Sequence, residues 1–77
     1  KLKFSYKEQK EWESIEEEIS LLEEEIQDLE KKMEGASSNY GKLQELIGEK
    51  EQKEAKLEER MDRWMYLNEL AEKIAAQ

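Results

Sequence analysis

Lys53, Lys56, Arg60 and Arg63 recur at intervals of 3, 4 and 3 residues. On an α-helix that spacing gathers side chains on one face. With Lys42, Lys50 and Lys73 on the same stretch, they are the cations best placed to meet phosphate oxygens. The same spacing fits a second use, in which acids on a neighbouring helix occupy these cations. Two acidic runs, Glu16-Glu17-Glu18 and Glu23-Glu24-Glu25, invite comparison with paired catalytic carboxylates or a calcium site. Successive helical residues point about 100° apart, so neither run converges on one ion or substrate. Both read as solvated faces. The segment Gly35-Ala36-Ser37-Ser38-Asn39-Tyr40-Gly41-Lys42-Leu43 has the look of a phosphate loop. It fails as one, because five residues separate the glycines where the motif has four. Leu43 also stands where Ser or Thr would hold magnesium.

No His or Cys occurs among the 77 residues. That removes the usual general base, the commonest metal ligand, thiolate nucleophiles and disulfides. No catalytic residue, metal site or cofactor site is expected in this chain. The formal charge is −8 and 44% of residues are charged, against about 25% in an average domain. So acidic a chain repels nucleic acid and anionic lipid unless its charges are segregated. They are partly so: residues 1–34 carry six bases and twelve acids, residues 35–77 seven and nine. No apolar run is long enough to cross a membrane. The first residues show no basic start followed by an apolar stretch, so no leader is expected.

The elements that must position the cations follow from periodicity. Ser5-Tyr6-Lys7-Glu8 reads as a capping box. Trp12, Ile15, Ile19, Leu22, Ile26, Leu29 and Met33 then alternate spacings of 3 and 4, an unbroken heptad seam. A first helix over about 5–34 is expected to end at Gly35 in the left-handed conformation. Residues 35–39 form the turn, with Ser37, Ser38 or Asn39 as the next cap. A second helix spans about 40–75. Its seam is expected through Leu43, Ile47, Leu57, Met61, Trp64 and Ala71, with Lys50, Glu54 and Asn68 at seam positions too. Gly48 weakens it by ~1 kcal/mol relative to Ala.

Two such helices joined by about five residues fold back as an antiparallel coiled-coil hairpin, an all-α fold forming one domain over residues 1–77. Pairing residues whose numbers sum to 76 sets Met33, Leu29, Ile19, Ile15 and Trp12 opposite Leu43, Ile47, Leu57, Met61 and Trp64. Along one edge Glu18 then meets Arg60 and Glu25 meets Lys53. Along the other, Glu16 faces Glu58 and Glu23 faces Glu51. The register also sets Ile26 against Lys50 and Leu22 against Glu54, a polar middle in which alkyl stems cover the apolar groups or a partner docks. A short N-terminal segment packs at the base, where Leu2, Phe4 and Tyr6 meet Leu67, Leu70 and Ile74 beside Trp12 and Trp64. These aromatics read as core. A platform for stacked bases would need exposed rings beside a basic groove.

At this level the chain resembles a known family. Phe4-Ser5-Tyr6-Lys7-Glu8-Gln9-Lys10-Glu11 is similar to the segment that opens the C-terminal coiled-coil domain of ABC-F ATPases of the Uup type. Met61-Asp62-Arg63-Trp64-Met65-Tyr66-Leu67 is similar to that domain's second signature, and Ser38-Asn39-Tyr40 also fits. The resemblance implies that Ser5, Tyr6, Glu8, Glu11, Arg63 and Trp64 belong to a structural base. It implies a parent with two upstream ATP-binding cassettes that hold ATP and magnesium and do the catalysis. It also implies a cytoplasmic location and a role on ribosomes or DNA. The implied partners of this hairpin are DNA, ribosomal RNA, the ribosome or the parent's own cassettes. The residues alone leave open a purely structural spacer or dimerisation element, as a monomer or a weak homodimer.

Overall fold

The computed structural model describes all residues 1–77. Helix α1 runs Tyr6–Gly35 and helix α2 runs Tyr40–Ala76, packed antiparallel as a hairpin. Their 30 and 37 residues correspond to about 45 and 55 Å at 1.5 Å per residue. The molecule accordingly measures 58 × 16 × 14 Å.

Each helix starts where its chemistry directs. The Ser5 hydroxyl accepts from the Glu8 amide at 3.1 Å, and the Glu8 carboxylate accepts from the Ser5 amide at 2.9 Å. Two otherwise unpaired helix N–H groups are thereby satisfied. Asn39 caps α2, its side chain accepting from the Lys42 amide at 3.2 Å. The end of α1 departs from expectation. No residue has positive φ, and Gly35 stays helical. Ala36, at φ −106° and ψ 14°, donates to Met33 O and accepts from the Asn39 amide. This right-handed turn reverses the chain without a left-handed residue. α2 passes through Gly48 without interruption.

The core is thin because two helices can cover only one stripe of each other. Ile15, Leu22, Ile26, Leu29, Leu46 and Leu67 are the buried residues. On α1 these fall on the expected seam. On α2 the seam is shifted: Leu46 and Leu67 are buried, Met61 is 46% exposed, and Glu54 is exposed. The stripe facing α1 runs Leu46, Lys50, Lys53, Leu57, Arg60, Trp64, Leu67, Ala71 and Ile74, spaced 4, 3, 4, 3, 4, 3, 4, 3. Lys53 and Arg60 thus take the places expected for Glu54 and Met61. Leu67 belongs to the core proper, and Asn68 lies to one side. The physical reason is that only this stripe gathers Leu46 and Leu67 while letting two basic stems meet acids on α1.

At the base, Phe4 packs on Trp12 with ring centroids 5.9 Å apart. Leu2 is tied through its backbone, its N–H donating to the Gln77 side chain and its carbonyl accepting from the Gln77 amide. Two members of the expected cluster stand outside it. The Leu2 side chain is half exposed and Tyr6 is 80% exposed. Tyr6 opens α1 at the heptad position of Glu13, Ser20 and Gln27, all of them exposed.

Candidate nucleic-acid interface

The six candidate cations occupy three kinds of place. Lys42 sits at the tip, 3.8 Å from Glu45, with both side chains exposed. Lys50, Lys53 and Arg60 lie on the seam. Lys50 reaches Glu30 at 3.1 Å and Lys53 reaches Glu25 at 3.4 Å. The Arg60 side chain is only 15% exposed and meets Glu59 at 2.7 Å, Glu18 at 3.6 Å and Glu11 at 3.8 Å. Arg63 makes a two-pronged bond to Glu11, at 3.1 and 2.8 Å. Of the six, Lys56 alone makes no ion pair.

Protonation equilibria follow the same geometry. The Glu59 carboxylate holds the Arg60 guanidinium more firmly charged, and Glu11 does the same for Arg63. Glu30 raises the Lys50 ammonium. In return Arg63 holds the Glu11 carboxyl below the usual range, and Arg60 does so for Glu59. Phosphate approaching Arg60 or Arg63 must displace carboxylates already in hydrogen-bonding position. The stripe is therefore one flank of a neutralised intramolecular edge.

The base residues cooperate in a way their spacing did not announce. Glu8 caps α1 with one carboxylate oxygen and accepts from the Tyr66 hydroxyl at 2.8 Å with the other. The capping amide of Ser5 and the Tyr66 bond hold the Glu8 carboxyl down, and Glu8 in turn raises the Tyr66 hydroxyl. The Trp64 indole donates to Glu16 at 3.3 Å, and the Arg63 guanidinium lies 4.8 Å from the centre of the Tyr66 ring. Glu8–Tyr66 and Glu11–Arg63 share a sum of 74, within two of the register read from the seams, so that arithmetic held the signal. Glu18–Arg60 and Glu25–Lys53 stand as the register expected; the pairing of Glu11 with Arg63 needed the true α2 face.

The description "ABC transporter C-terminal domain" fits a family model over residues 3–69. The chain belongs to that family. The matched span takes in the capping box, the Glu11–Arg63 pair and Leu67, which together join the two helices at the base. An ABC transporter ATP-binding protein of Bacillus subtilis (strain 168), YfmR, itself described as uncharacterized, is 43% identical over 72 residues. That alignment covers 94% of this chain and 11% of the relative's length. No solved structure matches. As an ABC transporter C-terminal domain the chain supplies no helix long and apolar enough to cross a membrane, and no group of three or more potential metal-ligating side chains comes together.

Proposed function

We propose that this hairpin is a non-catalytic interaction arm of a cytoplasmic ABC-F type ATP-binding protein, and that it contributes contact with nucleic acid, DNA or ribosomal RNA, or with the ribosome. ATP and magnesium belong, in this reading, to cassettes elsewhere in the parent. One observation carries the reading: three exposed lysines gather at the far end of the rod. Lys31, Lys32 and Lys42 stand there with the acids Glu34 and Glu45, the latter 3.8 Å from Lys42, in a chain of net charge −8. Tyr40 stands beside them, 76% exposed. Exposed lysines with one accessible ring can meet a phosphate backbone and stack on a base. A cassette preceding Lys1 would join the base and leave the tip to reach outward.

The ion pairing of Lys53, Arg60 and Arg63 favours a second reading, a spacer or intramolecular docking element without a nucleic-acid role. Titration against duplex DNA and against ribosomes at two salt concentrations separates them. Each phosphate contact contributes about 0.9 to the salt slope on duplex DNA. Replacing Lys31, Lys32 and Lys42 together by Ala should flatten the slope by roughly 2–3. Replacing Lys53, Lys56 and Arg60 should matter less. Affinity that ignores salt and both sets of substitutions would leave the spacer.

A further inference from the structure

The edge away from the Arg60 cluster carries a groove of about 480 Å³ lined by Glu16, Ile19, Ser20, Met61, Trp64 and Met65. Met61 and Met65 are 46% and 60% exposed. They stand there because the α2 seam runs through Arg60 and Trp64, which leaves them on its flank. Seven-residue relations put Glu23 on the flank of Glu16, and Glu51 and Glu58 on that of Met65. Glu16, Glu23, Glu51, Glu54 and Glu58 make no salt bridge; on this edge Lys50 binds Glu30 and attracts Glu54 as well.

We infer that this groove docks a basic amphipathic helical segment of a protein partner. An apolar helix face would enter between Ile19 and the two methionines, whose flexible side chains adapt to varied shapes. Lys or Arg flanking that face would meet the unpaired glutamates. Charge decides between occupants. A second copy would bring acids against acids, and anionic lipid or nucleic acid would be repelled by the same rim. The site is separate from the lysines of the tip, so its fate is independent of the nucleic-acid reading.

The test uses ε-¹³C-methionine labelling of the chain. Met61 and Met65 line the groove, and Met33, near the tip, serves as the internal control. The probe is a helical peptide of about 18 residues with Leu at i, i+3, i+4 and i+7 and Lys elsewhere, compared with its Leu/Glu counterpart. Saturable shifts of the Met61 and Met65 methyls with Met33 unmoved are expected for the Lys peptide alone. Glu23→Lys with Glu58→Lys should weaken binding about tenfold. Neither glutamate makes a bond in the structure, so the variant keeps its fold, which circular dichroism checks. Equal binding of the Leu/Glu peptide, equal movement of Met33, or unchanged affinity of the double variant would overturn the proposal. So would a dimer in sedimentation that Met65→Gln abolishes, since the occupant would then be a second copy.

Discussion

Along α1, Glu11, Glu18 and Glu25 line one edge of the hairpin and Glu16, Glu23 and Glu30 line the other, both sets at seven-residue intervals. α2 answers them unequally. The first edge receives Arg63, Arg60 and Lys53, each within 3.6 Å of a carboxylate. The second receives the Trp64 indole, Lys50 and the thioethers of Met61 and Met65. One edge is used up in holding the helices in register. The other keeps charge and apolar surface available to something outside. Acids repeated with the same period acquire opposite roles because the facing helix places its seam through Lys53 and Arg60, one residue from Glu54 and Met61.

The sharpest break of this comparison lies under both edges. Ile15 and Leu67 are fully buried, and replacing either by Ala should cost ~2–5 kcal/mol. A hairpin with so small a core would then be largely unfolded at 25 °C. Met61→Ala should cost under about 1 kcal/mol, because that side chain already faces water. Urea unfolding followed by circular dichroism ranks the three. Comparable losses at Met61 and Leu67 would restore the seam through Met61 and erase the distinction between the edges.

A second substitution probes the polar middle. The Lys53 side chain is 40% exposed and Glu25 39%, so their pair contributes little. Lys53 nonetheless occupies a seam position opposite buried apolar groups of α1. Lys53→Leu should raise stability by about 1 kcal/mol, less than the full burial of a Leu because the site stays partly open. A fall in the melting temperature would mean that the pair, rather than the alkyl stem, supports the middle.

Much of this arrangement was legible in the residues. Ser5 and Glu8, the unbroken 3-4 pattern from Trp12 to Met33 and the single loop-like segment fix two helices, their caps and their antiparallel return. Glu18–Arg60 and Glu25–Lys53 followed from one register. The face of α2 did not, because two stripes compete there. One carries Ile47 and Met61, the other Leu46 and Leu67, and hydrophobicity alone barely separates them. What separates them is that Lys53 and Arg60 can bury long stems and still reach acids, a cooperative gain involving four residues at once. Gly35 misled for a related reason: a glycine permits a left-handed helix end without requiring it. The role of the cations was legible in part: the expected register already occupied Lys53 and Arg60 with Glu25 and Glu18, while the pairs Glu11–Arg63 and Glu30–Lys50 became visible only with the true face.

Acid should affect the paired edge first. Arg63 depresses Glu11, and the Ser5 amide with Tyr66 depresses Glu8. A carboxylate held below its unfolded value stabilises the fold above that value and loses the contribution as pH drops through the lowered one. Stability should therefore decline below about pH 4.5, the ordinary Glu value. Glu11→Gln should cost about 1 kcal/mol at pH 7 and make the acid limb shallower, because that contribution is then already gone. A variant whose acid limb parallels the parent's would place the sensitivity elsewhere.

The smallest effect has the most telling sign. On the open edge the seven-residue step from Glu16 and Met65 sets Glu23 toward Glu58, a like-charge relation that simple exposure makes weak. Glu23→Lys turns it attractive and should stabilise the hairpin by a few tenths of a kcal/mol at low ionic strength. Salt distinguishes this from any gain in helix propensity, because Glu and Lys are nearly equal helix formers. Raising salt from about 0.01 to 1 M shortens the screening length from roughly 30 to 3 Å, so the gain should vanish there. The stabilising direction matters more than the size: it means that the parent chain tolerates repulsion on the very edge where Met61 and Met65 stand exposed. A neutral or destabilising result at low salt would show that Glu23 is already compensated within the hairpin, and the contrast between the edges would reduce to one of packing alone.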